Sequence, residues 1–388
     1  MTGSNWLIAG GGIAGLAGAL ALATRNIPSI VMEQAEDFLE VGAGLQLGPN
    51  AVEALQQIGA WDAVAPKCVI PPEIHIHDAL GGGLLQRVVL GQAFVDKFGA
   101  PYRVIHRAEL QRGLLEACRA NPLITLQNGA SVSSAVLTGD TVQTVLSDNR
   151  HVKTPALIVA DGIRSRLRKE MFPDSQVEAP PYVIYRALPA LHGLPATVNA
   201  DCVNLWLYPG GHVVHYPVGH PLHLNLVAVT RGVLARSSWS TPASGEEVSH
   251  YFSRACPALK QIVALPEKWL KWPAANVVGL PQWNLGRTLL IGDAAHGTVP
   301  FLAQGAAMAL EDVAVMARHL AHHSDPAAAF AATSAERLPR VARLQRESLR
   351  SGRIYHMRGV VRHARNAALR TMPEASFLHR LAWIYQGY

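Results

Sequence analysis

Asn5-Trp6-Leu7-Ile8-Ala9-Gly10-Gly11-Gly12-Ile13-Ala14-Gly15, closed by Glu33, decides how the chain is read. The apolar run Trp6 to Ala9 predicts a buried strand, and Gly10, Gly12 and Gly15 have the G-x-G-x-x-G spacing of a dinucleotide-binding turn. Bare backbone there lets a pyrophosphate approach the N–H groups at a helix N-terminus. Ser29-Ile30-Val31-Met32 predicts the next strand, and Glu33 falls 18 positions after Gly15, where a carboxylate can hold ribose hydroxyls. The glycine spacing alone is a weak signal. Strand, turn, helix, strand and acid in this order predict a Rossmann-like α/β fold for an adenine dinucleotide, with NAD and FAD both open.

The chain has 388 residues, 49% apolar and 16% charged, enough for a sizeable core and two subdomains. Trp6 to Ala23 holds only apolar residues and glycines, so a membrane span or signal peptide has to be weighed. Three consecutive glycines, no basic residue before Arg25 and no small-residue cleavage pattern argue against both. A soluble, cytoplasmic protein without a membrane span is expected. Cys68, Cys118, Cys202 and Cys256 form no C-x-x-C pair, which predicts reduced, buried thiols. The net charge of +6 is local: from Ala335 onward eleven arginines face three glutamates, a balance of +8, and the remainder carries −2. These arginines recur at helical spacing, which predicts a solvated helix face or subunit contact in a monomer or homodimer. Aromatic interleaving is sparse, so nucleic acid is not expected as a partner.

Val41 to Asn50 is glycine-rich and apolar, suited to close approach of backbone to a flat ligand, and a helix is expected from about Ala51 to Gly59. Residues 73–90 read as strands turning at Gly81 to Gly83, with His75 and His77 at surface positions. His106 to Leu110 opens a helix, and Arg107 near its start is poorly served by the helix dipole, which points to an anionic partner. Ala156 to Gly162 is an apolar strand ending in Asp161-Gly162. From Tyr182 to Lys271 the alternation has period two, a mostly β insert. Thr288 to His296 returns to the buried-strand pattern and ends in Asp293. Gln304-Gly305-Ala306-Ala307 then starts a helix, Met308 to Leu320, containing Glu311 and Asp312.

On the expected strand at 212–218, His212, Val214 and Tyr216 share one face, whereas Val213, His215 and Pro217 point the other way. His212 and Tyr216 can therefore line one pocket. The same geometry argues against a metal site from His212 and His215 with His220 and His223, so no metal is expected.

The ordered trio of glycine turn, Asp161-Gly162 and Gly292-Asp293 resembles the single-component FAD-dependent aromatic hydroxylases, the salicylate, hydroxybenzoate and hydroxynicotinate hydroxylase group, over nearly the whole chain. The resemblance implies an FAD-binding domain from residues 1–72, 100–175 and 278–335. Interwoven with it is a β-rich substrate subdomain from 73–99 and 176–277, and helices at 336–388 complete the chain. It implies that Gly10, Gly12, Ile13, Ala14 and Gly15 cradle the FAD pyrophosphate, and that Glu33 with Gln34 holds the adenosine ribose. Arg107, Gly44 and Gln46 would lie near the flavin. Asp161 would lie near the pyrophosphate and be tied to NAD(P)H use, Asp293 would hold the ribityl chain, and the backbone of Gly305, Ala306 and Ala307 would face the isoalloxazine. Three positions depart from the family: Val159 and Ala303 stand where Gly is usual, and Gly297 where Pro is usual. With one dinucleotide fingerprint, NADH or NADPH must bind without a Rossmann site of its own.

The implied reaction hydroxylates a small phenolic or hydroxylated heteroaromatic acid with O2, through a C4a-hydroperoxyflavin, with salicylate-type decarboxylation as a variant. The ring is activated by deprotonating a phenol, which near pH 7 costs roughly 4 kcal/mol from a pKa of about 10. His212 is the expected base with Tyr216 beside it, since related hydroxylases of pyridine and benzene acids place His and Tyr similarly. Pro300 stands where a backbone carbonyl near the flavin edge serves some members. Another FAD oxidoreductase, such as an epoxidase or reductase, and a non-catalytic FAD-binding protein are the alternatives.

Overall fold

The computed structural model describes residues 5–38, 43–191, 193–234, 240–386 and 388. Trp6–Ala9 is the strand before the glycine turn and Ile13–Ala23 the helix after it. The strand pairs in parallel with Ser29–Met32 on one side and Leu157–Val159 on the other, and all four of its side chains are buried, as apolar strands covered on both faces require. Ile124–Gln127 and Thr288–Leu290 extend this sheet in parallel at either side, and Asn284–Leu285 closes one edge antiparallel. Glu33, Asp161 and Asp293 each follow the C-terminal end of one of these parallel strands. Ligands of open α/β sheets collect at that edge, so topology gathers three acids far apart in the chain.

The helix Ile13–Ala23 carries no polar side chain, and Leu16, Leu20 and Leu22 are at most 5% exposed. It packs against the sheet and the helices Arg107–Arg119 and Gly305–His322. Each buried leucine stabilises the fold by about 1.5–3 kcal/mol. Among the described residues no helix is long and apolar enough to cross a membrane.

The second sheet has eight strands in the order Thr241–Ser244, Lys268–Pro273, Tyr182–Ala187, His223–Arg231, Gly211–Val218, Val203–Tyr208, Glu73–Asp78 and Leu84–Val89. All neighbours run antiparallel except Val203–Tyr208 with Glu73–Asp78. Two helices, Gly245–Tyr251 and Pro257–Ala264, interrupt the expected β insert and cover one face of the sheet with Val248, Leu259 and Ile262. The other face is turned toward the parallel sheet.

Two surface expectations are corrected. His77 is buried: it stacks on Trp206 with ring centroids 4.2 Å apart and bonds Asn204 Oδ1 at 3.0 Å. The C-terminal arginines are not one solvated face. Arg337, on the helix Pro326–Tyr355, is 1% exposed and Arg365, on Gly359–Thr371, is also buried, while Arg362 pairs with Asp78 at 2.8 Å. Helical rhythm identifies where a cation recurs but not what it meets.

Candidate active site

A cavity of about 1080 Å³ is lined by both large sheets. On the side of the parallel sheet, Gly10, Gly12, Ile13, Ala14, Glu33, Gln34 and Asp161 form its wall. Gly10 has φ +107°, and a Cβ there would lie 2.4 Å from the Ala160 carbonyl oxygen. Gly12 caps the helix Ile13–Ala23 without a side-chain hydrogen bond and with no acid in its first turn, so that turn presents unsatisfied N–H groups to the cavity. Glu33 is fixed by the backbone, its carboxylate accepting from Gly11 N at 2.7 Å and Ala35 N at 2.9 Å. Gly15 is a correction: it does not line the cavity. A Cβ at Gly15 would sit 1.9 Å from the Gly10 carbonyl oxygen, so its part is to let the helix approach the turn.

Further along, Gly44, Gln46, Arg107, Asp293, Pro300, Ala303, Gly305 and Ala306 line the same space. The helix Gly305–His322 also starts without a side-chain cap, and a Cβ on Gly305 would meet nothing within 4 Å. The side chain of Ala307 is buried in the core behind the cavity, whereas the expectation for this position concerns its backbone at the helix start. Pro300 lines the wall, but its carbonyl already accepts from Ala303 N at 3.0 Å within a short turn. Ala303 sits at φ +54°, the left-handed region, which explains why glycine suits that position. Of the expected stretch Val41 to Leu47, Val41 and Gly42 lie outside the described residues. Gly44 is held by Asn225 Oδ1, which accepts from its N–H at 2.6 Å, and a Cβ there would lie 2.7 Å from both Asn225 and Tyr216.

These features fit an extended dinucleotide: two uncapped helix starts, acids at the parallel strand ends and glycines where backbone must come close. The sequence reading missed Ser131, Ser133, Ser147 and Asn149, which line the wall beside Glu33. They come from strands and turns carrying no motif.

Behind Asp293 lies a buried charge network. Asp312 accepts from Gly292 N at 2.9 Å and Arg337 Nε at 2.9 Å, and pairs with His296 Nε2 at 2.5 Å. Glu311 meets Arg337 at 2.6 Å and Arg340 at 2.7 Å, and accepts from Asn50 at 2.6 Å, while Asn50 also donates to Gln304 at 2.9 Å. Burial alone would raise both carboxyl pKa values. His296 and Arg337 outweigh it at Asp312, and Arg337 and Arg340 at Glu311, so both are held below the ordinary range. The network thus fixes the Gly292-Asp293 turn and the start of the Gly305 helix from behind.

The antiparallel sheet closes the cavity with Arg186, His212, Val214, Tyr216, Val227 and Val229. His212, Val214 and Tyr216 share the cavity face, as alternation predicts, and His215 on the other face accepts from Trp206 Nε1 at 3.1 Å. His212 Nδ1 and His356 Nε2 are 2.8 Å apart, which leaves Nε2 of His212 as its nitrogen without a hydrogen bond in the protein. Burial, then the neighbouring His356, holds the His212 pKa well below the ordinary imidazole range. His356 comes from the end of the long C-terminal helix, and no local signal marked it. Tyr216 stays a neutral phenol because burial raises its pKa, with Arg186 opposing, and it bonds Gln46, which also accepts from Tyr102 at 2.5 Å.

Away from the cavity, Glu73, His75 and Cys202 have donor atoms within 4.8 Å of one another, a grouping the sequence did not reveal. His75 is already hydrogen-bonded to Glu73 at 2.6 Å.

Burial of neutral histidines sets a pH dependence. Burial lowers the pKa of His77 to about 4, His215 to about 3 and His356 to about 4, and that of His212 well below its usual value. As pH falls below about 6.5 the unfolded chain takes up protons that the folded one excludes. Each such histidine therefore removes up to about 1.4 kcal/mol of stability per pH unit. Urea unfolding between about pH 7 and pH 5 is expected to show a loss of several kcal/mol, carried by three or four protons. A flat stability across that window would mean these rings are charged in the folded protein.

Comparison with known proteins agrees with this geometry. Residues 4–348 match a protein family described as FAD binding domain. The chain is 36% identical to a 3-hydroxybenzoate 6-hydroxylase of Polaromonas naphthalenivorans over 383 residues, covering 98% of this chain and 95% of that protein. Among solved structures it resembles Klebsiella pneumoniae HpxO complexed with FAD and uric acid, with a TM-score of 0.86, 22% identity and coverage of 99% and 98%. It also resembles a salicylate hydroxylase substrate complex, with a TM-score of 0.83, 25% identity and coverage of 99% and 95%.

Proposed function

The chain belongs to the FAD-dependent aromatic hydroxylases, and from that premise we propose that it hydroxylates the ring of a small hydroxybenzoate-type acid, with NADH or NADPH as electron donor and O2 as co-substrate. The observation that carries this reading is one cavity joining two kinds of wall. The first, from Gly10 to Asp293, suits a dinucleotide; the second holds a neutral histidine with an open nitrogen among valines. The name of the Polaromonas relative supports the substrate class. Gly10, Gly12, Ile13 and Ala14 would hold the pyrophosphate, Glu33 and Gln34 the adenosine ribose, and Asp161 a place near the pyrophosphate. Asp293 would hold the ribityl chain, and Arg107, Gly44, Gln46, Gly305 and Ala306 the flavin ring. Residues 1–72, 100–175 and 278–335 would carry the cofactor, and 73–99 with 176–277 the substrate.

Bound FAD supplies oxygen transfer to the ring, drawing on NAD(P)H and O2. The protein's part is to make that ring electron-rich. His212 Nε2 accepts the phenolic proton, and His356 fixes the orientation of the imidazole through Nδ1. Tyr216, neutral and tied to Gln46, hydrogen-bonds the substrate from the same strand face. Val214, Val227 and Val229 exclude water from the ring and strengthen these polar contacts. Four free cysteines suit a cytoplasmic setting, in a monomer or homodimer.

The test is direct. Purified protein is expected to show a bound-flavin spectrum and to oxidise NADH faster when one acid of a hydroxybenzoate panel is added, with a hydroxylated product identified by mass. A protein that stays colourless after FAD supplementation, or that oxidises NADH without a hydroxylated product, would refute the reading.

A further inference from the structure

The face of the antiparallel sheet that is turned away from the cavity brings together three side chains that the proposed reaction does not use. Glu73 and His75 lie two residues apart on the strand Glu73–Asp78 and so share one of its faces. Cys202 directly precedes Val203, which pairs in parallel with Ile74, while Asn204 pairs with His75 and Trp206 with His77. Residues opposite one another in a sheet project to the same side, so Cys202 stands beside Glu73 and His75 on the face of Trp206.

The donor atoms converge. His75 Nε2 is 2.6 Å from Glu73 Oε2 and 4.0 Å from Cys202 Sγ, and the three residues each place one donor atom within 4.8 Å of the other two. Thiolate, imidazole and carboxylate bound to one zinc ion at about 2.0–2.3 Å stand roughly 3.2–3.7 Å from one another. Side-chain shifts on the order of 1 Å or less reach that arrangement from this one.

The surroundings hold these groups in place and leave one side open. Asn204 donates to the carbonyl oxygens of Cys202 at 3.1 Å and Asn199 at 3.0 Å, which fixes the turn carrying the thiol. The His77 ring packs edge-on against His75 with centroids 5.8 Å apart, and its own Nε2 is engaged by Asn204. Cys202 is fully buried, whereas the side chains of His75 and Glu73 are 15% and 23% exposed, so an ion can enter from solvent and keep a water in the fourth position. Arg87 approaches the other Glu73 oxygen, Oε1, at 3.6 Å and leaves Oε2 to the cluster. Burial pushes the Cys202 thiol pKa up to about 11, which makes it a poor nucleophile and a poor target for oxidation on its own.

We propose that Glu73, His75 and Cys202 form a zinc site on this outer face, separate from the flavin cavity. Sulfur and nitrogen donors select zinc over magnesium or calcium. The thiol proton leaves to solvent as the zinc–sulfur bond forms, and His75 ligates through Nε2 as the neutral ring with its proton on Nδ1. Carboxylate and thiolate together then balance the charge of the ion. The ion clips together two segments distant in the chain, at the one parallel pairing of this sheet, and so stabilises the fold. None of the three residues lines the cavity, so the site stands or falls independently of the hydroxylase reading.

The test uses tag-free, FAD-loaded protein stripped of metal by a chelator and then titrated with zinc, with magnesium as the control ion. Elemental analysis after gel filtration is expected to find one zinc per chain. Zinc X-ray absorption is expected to show one sulfur at about 2.3 Å and nitrogen or oxygen neighbours at about 2.0–2.2 Å. Thermal unfolding is expected to shift upward by a few degrees with zinc and not with magnesium. Cys202→Ser and His75→Gln are each expected to weaken zinc at least about 100-fold, more than the loss of a supporting partner costs. Cys256→Ser, at a buried thiol outside the cluster, is expected to bind zinc like the wild type. No zinc retained by the wild type would overturn the site. Zinc without a sulfur neighbour, or retained equally by Cys202→Ser, would show an adventitious ion only and overturn it as well. The absorption spectrum of the wild type decides the donor set even where a variant fails to fold.

Discussion

His212→Ala is expected to lower the rate of ring hydroxylation by about 10²–10⁴-fold, the usual contribution of a positioned general base. FAD content is expected to stay unchanged, because His212 stands on the antiparallel sheet, away from Gly10, Gly12 and Glu33. The pH profile distinguishes a base from a packing residue. In the wild type His212 is neutral because burial and His356 hold its pKa down, so the rate stays level as pH falls toward about 6.5. Without the imidazole the substrate must ionise unaided, and the variant's rate is expected to climb with pH toward the phenol pKa of about 10. Single-turnover rates measured across that range decide the matter. An equal rate in variant and wild type, or a variant whose rate does not rise with pH, would remove His212 from the chemistry.

Arg337→Met is expected to destabilise the fold by about 3–5 kcal/mol, since it takes one buried counter-charge from two carboxylates at once. Arg337 lies between Glu311 and Asp312, both fully buried, at 2.6 and 2.9 Å. Arg340→Met is expected to cost less, because Glu311 keeps Arg337 and Asn50 when Arg340 is lost. Urea midpoints of the two variants test this order, and a larger loss for Arg340→Met would overturn it. Both carboxyl pKa values are held down in the fold. The network's contribution is therefore complete above about pH 4.5 and lost as pH falls through the folded values, adding to the acid sensitivity of the buried histidines.

Those parts of the site that obey local rules were legible in the sequence. The turn at Gly10 to Gly15 and the acids Glu33, Asp161 and Asp293 each sit at the end of a short apolar strand, and each end is visible without tertiary information. The shared face of His212 and Tyr216 follows from the two-residue period of one strand. Arg186 was not legible, because its place on the cavity wall depends on a register across three strands. His356 and Arg337 were not legible for a related reason: helical spacing describes the helix that carries them, whereas their partners, His212 and Asp312, belong to other elements.

The order of strands in the parallel sheet bears on how the protein is made. Leu157–Val159 lies between Trp6–Ala9 and Thr288–Leu290, so the first strand synthesised is flanked by one that appears mid-chain, and the sheet is completed only when the last third has emerged. Glu311 and Asp312 then await Arg337 on a still later helix. A nascent chain halted before that helix holds both acids without the arginines that meet them in the folded protein. Long-range pairing of this kind folds slowly, because loop closure must precede the contacts that reward it.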